Sequence, residues 1–262
     1  MFAQSWSQRV GRGLVDLLFP PACAACGGGI RREEGELCAP CALDLQRCLG
    51  GDYCQTCGED RGAHLLLDGR CTPCRLGKPA LRFDHFVRVG QYEGVLKSLV
   101  LHFKTRFTLD RLLGEHLADA IQGRIDPTIV DVWVPVPAHW RRRLSMGFQP
   151  TAVLAAAAAR RWSGKVVPAL VAAKYVRALH RRPGMTAAER AEAVRGVFRA
   201  ARWANIKGKR VGLIDDVTNT GATLREAKRA LKIAGASPVV AAVLARVSRQ
   251  PVAIAGVDPP GH

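Results

Sequence analysis

Two features of the sequence predict its fold class. All nine cysteines fall between residues 23 and 74, and from about residue 85 onward apolar strands alternate with helical segments. Together they predict an α/β chain, a mostly parallel sheet covered by helices on both faces, preceded by a small cysteine-rich domain. A third observation, the charge, follows the same division. The 262-residue chain has a formal net charge of +17, yet residues 1–80 hold nine basic and nine acidic groups, so the surplus belongs to the remainder. Residues 139–210 contain 17 basic groups and only two acids, Glu189 and Glu192. Such a local field suits a polyphosphate, a nucleic acid or an acidic membrane surface. A basic composition shared by a whole proteome would give the same excess.

The parts follow in order. Residues 1–20 read as an amphipathic segment that docks through Phe2, Trp6, Val10 and Leu14. Its stretch GLVDLLFP is short, is interrupted by Asp16 and lacks a small-residue cleavage site, so no secretory signal is expected. No apolar run approaches the roughly 20 residues that cross a bilayer. The expectation is a cytoplasmic chain without a membrane span.

Residues 21–80 contain four CxxC pairs: Cys23/Cys26, Cys38/Cys41, Cys54/Cys57 and Cys71/Cys74. A CxxC turn points two sulfurs at one centre, and two such turns supply the four thiolates of a tetrahedral structural zinc site. The spacers of 11, 12 and 13 residues leave room for a short hairpin. Two zinc ions in two successive ribbons, from the first four and the last four paired cysteines, fit best. An interleaved pairing is also compatible with the spacing. Disulfides suit an exported chain, which this one does not resemble, and four tandem copies exceed what a redox motif needs. Cys48 is left over and reads as a small buried hydrophobe.

Residues 81–250 form the α/β body. FVRVGQY reads as a strand, GVLKSLVLHFK and RLLGEHLADAIQ as helices, and IVDVWVPVP as an apolar strand between prolines. AVLAAAAARRW reads as a helix from its alanine run, GVFRA as a short strand, RVGLID as another, LREAKRALKIA as a helix and SPVVAAVLARV as a last buried strand. Residues 251–262 are a tail.

Ligands of such a sheet bind at the carboxyl ends of its strands, and two loops there carry chemistry. PVPAHWRRR delivers Pro137, Ala138, His139 and the run Arg141, Arg142, Arg143. These arginines are either a solvated face or an anion site. In RVGLIDDVTNTGATLREAKRALKIAG, Thr223 and Glu226 have capping-box spacing. Thr220, Gly221, Ala222 and Thr223 offer consecutive N–H groups and hydroxyls at a helix N-terminus, which is a phosphate cradle. Asp215 and Asp216 stand just before it. Carboxylates do not bind phosphate; they accept bonds from vicinal hydroxyls or hold Mg²⁺. A ribose 5-phosphate group satisfies both halves. No Walker A ending and no GxGxxG are present.

An apolar strand, DD, two residues, a TG-x-T-like turn and a helix resemble the PRPP-binding signature of type I phosphoribosyltransferases. Tandem CxxC pairs followed by QYEGVLKSLVLHFK, VPVPAHWRRR, ERAEAVRGVF and LIDDVTNTGATL are similar, from about residue 16 to 247, to the ComF family of competence-associated proteins. The resemblance implies a type I phosphoribosyltransferase body and a PRPP-dependent transferase with Mg²⁺ accompanying PRPP. It implies that Asp215 and Asp216 are the catalytic pair on the ribose hydroxyls, within a PRPP loop of Val217, Thr218, Asn219, Thr220, Gly221, Ala222 and Thr223. Pro137, Ala138, His139 and Arg141 would grip pyrophosphate, and Arg177, Arg181 and Arg182 would lie in a lid spanning 177–190. The chain departs from the family where Met146, Gly147, Phe148, Gln149 and Pro150 stand for RGFNQ, and at Asn219. The alternative is a non-catalytic adaptor of the DNA-uptake machinery that binds PRPP or single-stranded DNA. An aromatic content of 6% argues against a base-stacking platform.

Overall fold

The computed structural model describes residues 20–31, 33, 35–77, 81–104, 109–138, 144, 147–173 and 186–248. The N-terminal amphipathic segment, His139 with Arg141, Arg142 and Arg143, the expected lid residues Arg177, Arg181 and Arg182, and the C-terminal tail lie outside the described residues.

In the cysteine-rich part, α1 (Ala39–Cys48) fills most of the second spacer, where room for a hairpin was expected. Pro40 sits in its first turn, where a missing N–H goes unnoticed, and Leu45 and Cys48 are its buried residues. The third spacer does form the short hairpin, β1 (Leu66–Leu67) against β2 (Arg70–Cys71), and α2 (Thr72–Arg75) then carries Cys74. Cys48 is buried, as its reading as a small hydrophobe requires, and its thiol donates to the Glu93 carbonyl (3.6 Å).

The body follows as β3 (Phe86–Gln91), α3 (Gly94–Phe103), α4 (Asp110–Gln122), β4 (Val132–Pro135), α5 (Pro150–Ala159), β5 (Leu170–Ala172), α6 (Ala187–Ala193), β6 (Phe198–Ala200), β7 (Val211–Thr218), α7 (Ala222–Ile233) and β8 (Val239–Arg246). Four strands make one parallel sheet in the order β3-β8-β7-β4. Alternation of the strand side chains splits the core into two layers. Val87, Val89, Trp133 and Ile214 face Leu99, Leu113 and Leu154 of α3, α4 and α5. Phe86, Val132, Val134 and Leu213 face Leu224 and Leu231 of α7. Burial on both faces explains why β7 and β8 read as continuous apolar runs.

Two expected strands differ. IVDVWVPVP is not a single strand: Pro127–Ile129 is a 3₁₀ turn held by Asp126, whose Oδ1 accepts from the Thr128 N–H (2.9 Å), and the strand is confined to β4. GVFRA supplies β6, but β6 pairs antiparallel with β5 in a separate two-stranded sheet.

The cysteine-rich part closes the free edge of β3. Leu49 bridges Gly90 antiparallel, and the Gly50 N–H donates to the Val89 carbonyl (2.8 Å), which covers backbone groups that would otherwise invite edge pairing. Gly90 is required by this approach, since a Cβ there would fall 2.0 Å from the Cys48 carbonyl oxygen. Two arginines on the sheet, Arg88 and Arg246, are each 1% exposed. A guanidinium stays charged inside a protein, and both find their counter-charges on the ribbon: Arg88 on Asp60 and Arg246 on Glu59.

Candidate functional site

The carboxyl ends of β4 and β7 are neighbours: Pro135 pairs with Ile214, and the Val136 N–H donates to the Ile214 carbonyl (2.8 Å). The loops after these strands therefore open side by side. Val136 is anchored from behind, because its carbonyl accepts from the buried Thr151 hydroxyl at the start of α5 (2.6 Å). Of the residues expected to grip pyrophosphate, Pro137 and Ala138 are described and half-buried.

β7 runs further than RVGLID suggests, through Asp215, Asp216 and Val217 to Thr218, because β8 accompanies it: Asp215 pairs with Val243, Val217 with Ala245 and Thr218 with Arg246. The two carboxylates thus sit inside a strand, held against a rigid neighbour. The Asp216 N–H donates to Asp215 Oδ1 (2.9 Å) and the Val217 N–H to Asp216 Oδ1 (2.6 Å), fixing the rotamers of both side chains. Asp215 is buried and Asp216 half-buried.

Thr218 to Gly221 then turn the chain into α7. Gly221 is the N-cap, with φ of 71° and no side-chain cap, so α7 begins at Ala222. The expected capping box of Thr223 and Glu226 is not formed. Glu226 instead accepts from Arg229 (2.6 Å) and from the Gly196 N–H (2.8 Å), which together, Arg229 first, hold its carboxyl below the usual range. A capping box does form at α6, between Thr186 and Glu189. The Thr220 hydroxyl accepts from the Ala222 N–H (3.4 Å) at the mouth of α7. The first N–H groups of a helix lack intrahelical partners, and they face the end of β7 where the carboxylates stand.

Gly221 is needed here twice, for its left-handed backbone and because a Cβ would come within 2.6 Å of Leu81 Cδ2. Gly221→Ala is expected to cost about 1–2 kcal/mol from the backbone conformation alone. It should also loosen the turn, which chemical denaturation together with phosphate titration would show.

One residue of the site was not singled out in the sequence. Lys104, at the end of α3, places Nζ 3.1 Å from Asp216 Oδ2, with both side chains about four-fifths buried. Its signal was the final lysine of QYEGVLKSLVLHFK.

The cysteines form two tetrads, Cys23/Cys26/Cys38/Cys41 and Cys54/Cys57/Cys71/Cys74, each with its sulfurs within 4.8 Å of one another. The successive pairing is the observed one. Tetrahedral zinc with Zn–S near 2.3 Å sets sulfurs about 3.8 Å apart. Cys26 and Cys38 stand 3.9 Å apart and Cys57 and Cys71 3.8 Å, so both tetrads fit the ion. Each already holds one acidic thiol. Cys57 donates to Cys54 and, against burial, helps pull it down to about 4, while the same bond and burial push Cys57 up. Burial opposes ionisation of Cys23, yet N–H groups of Cys26, Cys38 and Ala25 bring it to about 6. Zinc takes cysteine as the thiolate, so binding would release the thiol protons of each tetrad.

Among the described residues no helix is long and apolar enough to cross a membrane.

Comparison with known proteins agrees with both halves. The double zinc ribbon domain family matches residues 14–75, and the phosphoribosyl transferase domain family matches residues 151–257. Among solved structures, a glutamine phosphoribosylpyrophosphate (PRPP) amidotransferase from B. subtilis is 23% identical over 57% of this chain, with a TM-score of 0.35, and the match spans only 28% of that enzyme. A Thermus thermophilus protein is 20% identical over 55% of this chain and 86% of its own, with a TM-score of 0.32. Competence protein F of Haemophilus influenzae is 26% identical over 231 residues, covering 86% of this chain and 96% of that protein. Read with the two cysteine tetrads and the parallel sheet, the two family matches make the chain a double zinc ribbon joined to a phosphoribosyl transferase domain, an arrangement similar along most of its length to that relative.

Proposed function

We propose that the chain binds PRPP at the carboxyl ends of β4 and β7 and transfers its phosphoribosyl group to an acceptor. The observation that carries this reading is the succession of two fixed carboxylates and a helix N-terminus at the end of one strand. Asp215 and Asp216 would accept the ribose hydroxyls, and the N–H groups and hydroxyls of Thr220 to Thr223 would take the 5-phosphate. Val217, Thr218 and Asn219 set the distance between those two groups. The loop from Pro137, continuing through Ala138, His139 and Arg141, would receive the departing pyrophosphate, with Arg177, Arg181 and Arg182 closing over it. Such a site need supply little covalent chemistry: cations stabilise the leaving group as C1 of the ribose gains oxocarbenium character. Carboxylate oxygens beside a polyphosphate are the donor set that Mg²⁺ takes, and Asp216 fits it. Bound there, Mg²⁺ would neutralise charge on the pyrophosphate.

Lys104 competes with a cation for Asp216 Oδ2, whereas a hydroxyl can share that oxygen with it. Lys104→Met is therefore expected to raise Mg²⁺ affinity about three- to fivefold, the equivalent of a partly exposed ion pair of roughly 0.7–1 kcal/mol. Unchanged Mg²⁺ affinity by calorimetry would mean that Asp216 does not meet the ion.

The deciding experiment is titration with PRPP and Mg²⁺, followed by a pyrophosphate-release assay over a panel of nucleobase-like acceptors. Binding with release supports the transferase. Binding without release moves the reading to a PRPP-binding adaptor, for which the relative named Competence protein F and the net charge of +17 favour single-stranded DNA or DNA-uptake proteins as partners. Failure to bind PRPP defeats the transferase and the PRPP-binding adaptor, and leaves only an adaptor that binds single-stranded DNA.

A further inference from the structure

The cation beside the paired carboxylates is Lys104, whose Nζ stands 3.1 Å from Asp216 Oδ2. The fold fixes its place. Lys104 caps α3, where its N–H donates to the Val100 carbonyl (3.2 Å), and a helix C-terminus favours a cation. The preceding residue, Phe103, is completely buried and meets Phe148 edge-on, with ring centroids 6.4 Å apart. Phe148 belongs to the loop between β4 and α5, whose first residues are proposed to receive pyrophosphate. The end of α3 therefore touches both the strand that carries the carboxylates and the loop expected to take the leaving group. From that joint the lysine reaches Asp216.

A ligand that brings a pyrophosphate toward two carboxylates needs a positive charge between them. Mg²⁺ can supply it, but this ion gives up its waters reluctantly and would have to displace Lys104 from Asp216. The lysine is already in place. An ammonium carries three donors, so it can keep Asp216 and still donate to a phosphate oxygen.

Resting on the PRPP reading above, we propose that Lys104 is a resident cation that contacts the pyrophosphate of the ligand and lets the site hold PRPP without a divalent ion. Mg²⁺, when bound, takes over a charge that Lys104 otherwise supplies.

The test is calorimetric titration of the full zinc-loaded chain with PRPP, with Mg²⁺ and without it. The second buffer is freed of divalent ions on a chelating resin, since a soluble chelator would take the zinc. Wild type is expected to bind in both buffers with affinities within about threefold. Lys104→Met should bind about tenfold more weakly than wild type without Mg²⁺, through loss of a charge-assisted bond, and return to within about threefold of it when Mg²⁺ is added. Lys104→Arg keeps the cation and should stay within about threefold of wild type without Mg²⁺. A lysine that serves packing alone would weaken binding equally in the two buffers. An equal loss therefore overturns the proposal, as does a loss in Lys104→Arg as large as in Lys104→Met, wild-type binding that requires Mg²⁺, or undiminished binding by Lys104→Met without it. Failure of wild type to bind PRPP in either buffer overturns the PRPP reading itself, and this proposal with it.

Discussion

Cys54→Ser is expected to leave one zinc ion per chain and to unfold the sheet together with the second ribbon. Cys54 is completely buried, and Cys54, Cys57 and Cys71 belong to the same apolar cluster as Phe86, Val132, Leu213 and Leu224. The ribbon is therefore part of one core layer of the sheet. Structural zinc supplies roughly 10–16 kcal/mol of apparent binding free energy in isolated fingers, comparable to the roughly 5–15 kcal/mol by which a whole domain is stable. Metal analysis with thermal unfolding checks this: a variant that has lost one zinc ion but melts at the wild-type temperature would separate ribbon from sheet. The first tetrad is less enclosed, with Cys26 exposed and Cys38 and Cys41 half-buried. Cys38→Ser should accordingly loosen the front of the chain more than the back.

The second large effect is on ligand affinity. Asp215→Asn combined with Asp216→Asn should weaken PRPP binding at least tenfold, since each charge-assisted bond to a hydroxyl is worth about 1.5–3 kcal/mol. The variant should fold normally. An asparagine Oδ1 still accepts the N–H bonds now made by Asp216 and Val217, so the strand keeps its local geometry. Simple phosphate should still bind weakly at Thr220 to Thr223, and single-stranded DNA binding should be unchanged or slightly stronger once two negative charges are gone. Calorimetry on wild type and variant decides; equal PRPP affinity would show that these carboxylates do not read the sugar.

The tetrads, the parallel sheet and the acidic pair were legible because each is written in local spacing: CxxC turns, apolar runs between helical periods, and DD followed by a glycine turn. What escaped was long-range. Arg88 meets Asp60 across 28 positions and Arg246 meets Glu59 across 187, and nothing in the spacing joins them. The lone arginine in each of the apolar stretches FVRVGQ and VVAAVLAR was the available sign, because a charge inside a covered strand must be paired. Lys104 escaped for the same reason. The end of β7 was misplaced because aspartate is depleted in strands, a preference that pairing with β8 overrides. The capping box at Thr223 failed because Gly221, in a left-handed conformation, already starts the helix, and Glu226 finds better partners in Arg229 and Gly196.

If the proposed site is correct, the two sheet arginines would make metal supply a condition for its chemistry. Arg246 pairs in register with Thr218, at the foot of the turn proposed to hold PRPP, while its charge is balanced by Glu59, two residues beyond a cysteine of the second tetrad. Chelation that frees the second ribbon would strand Arg88 and Arg246 in an apolar layer, where each would draw in water and part the strands around it. The population of chains able to hold PRPP would then track zinc occupancy, and melting would be a single transition whose midpoint rises with free zinc. A fragment beginning at residue 81 would hold the whole turn proposed for PRPP yet lack the acids that let its sheet close, so the joint between the two parts is a shared fold and a poor place to cut.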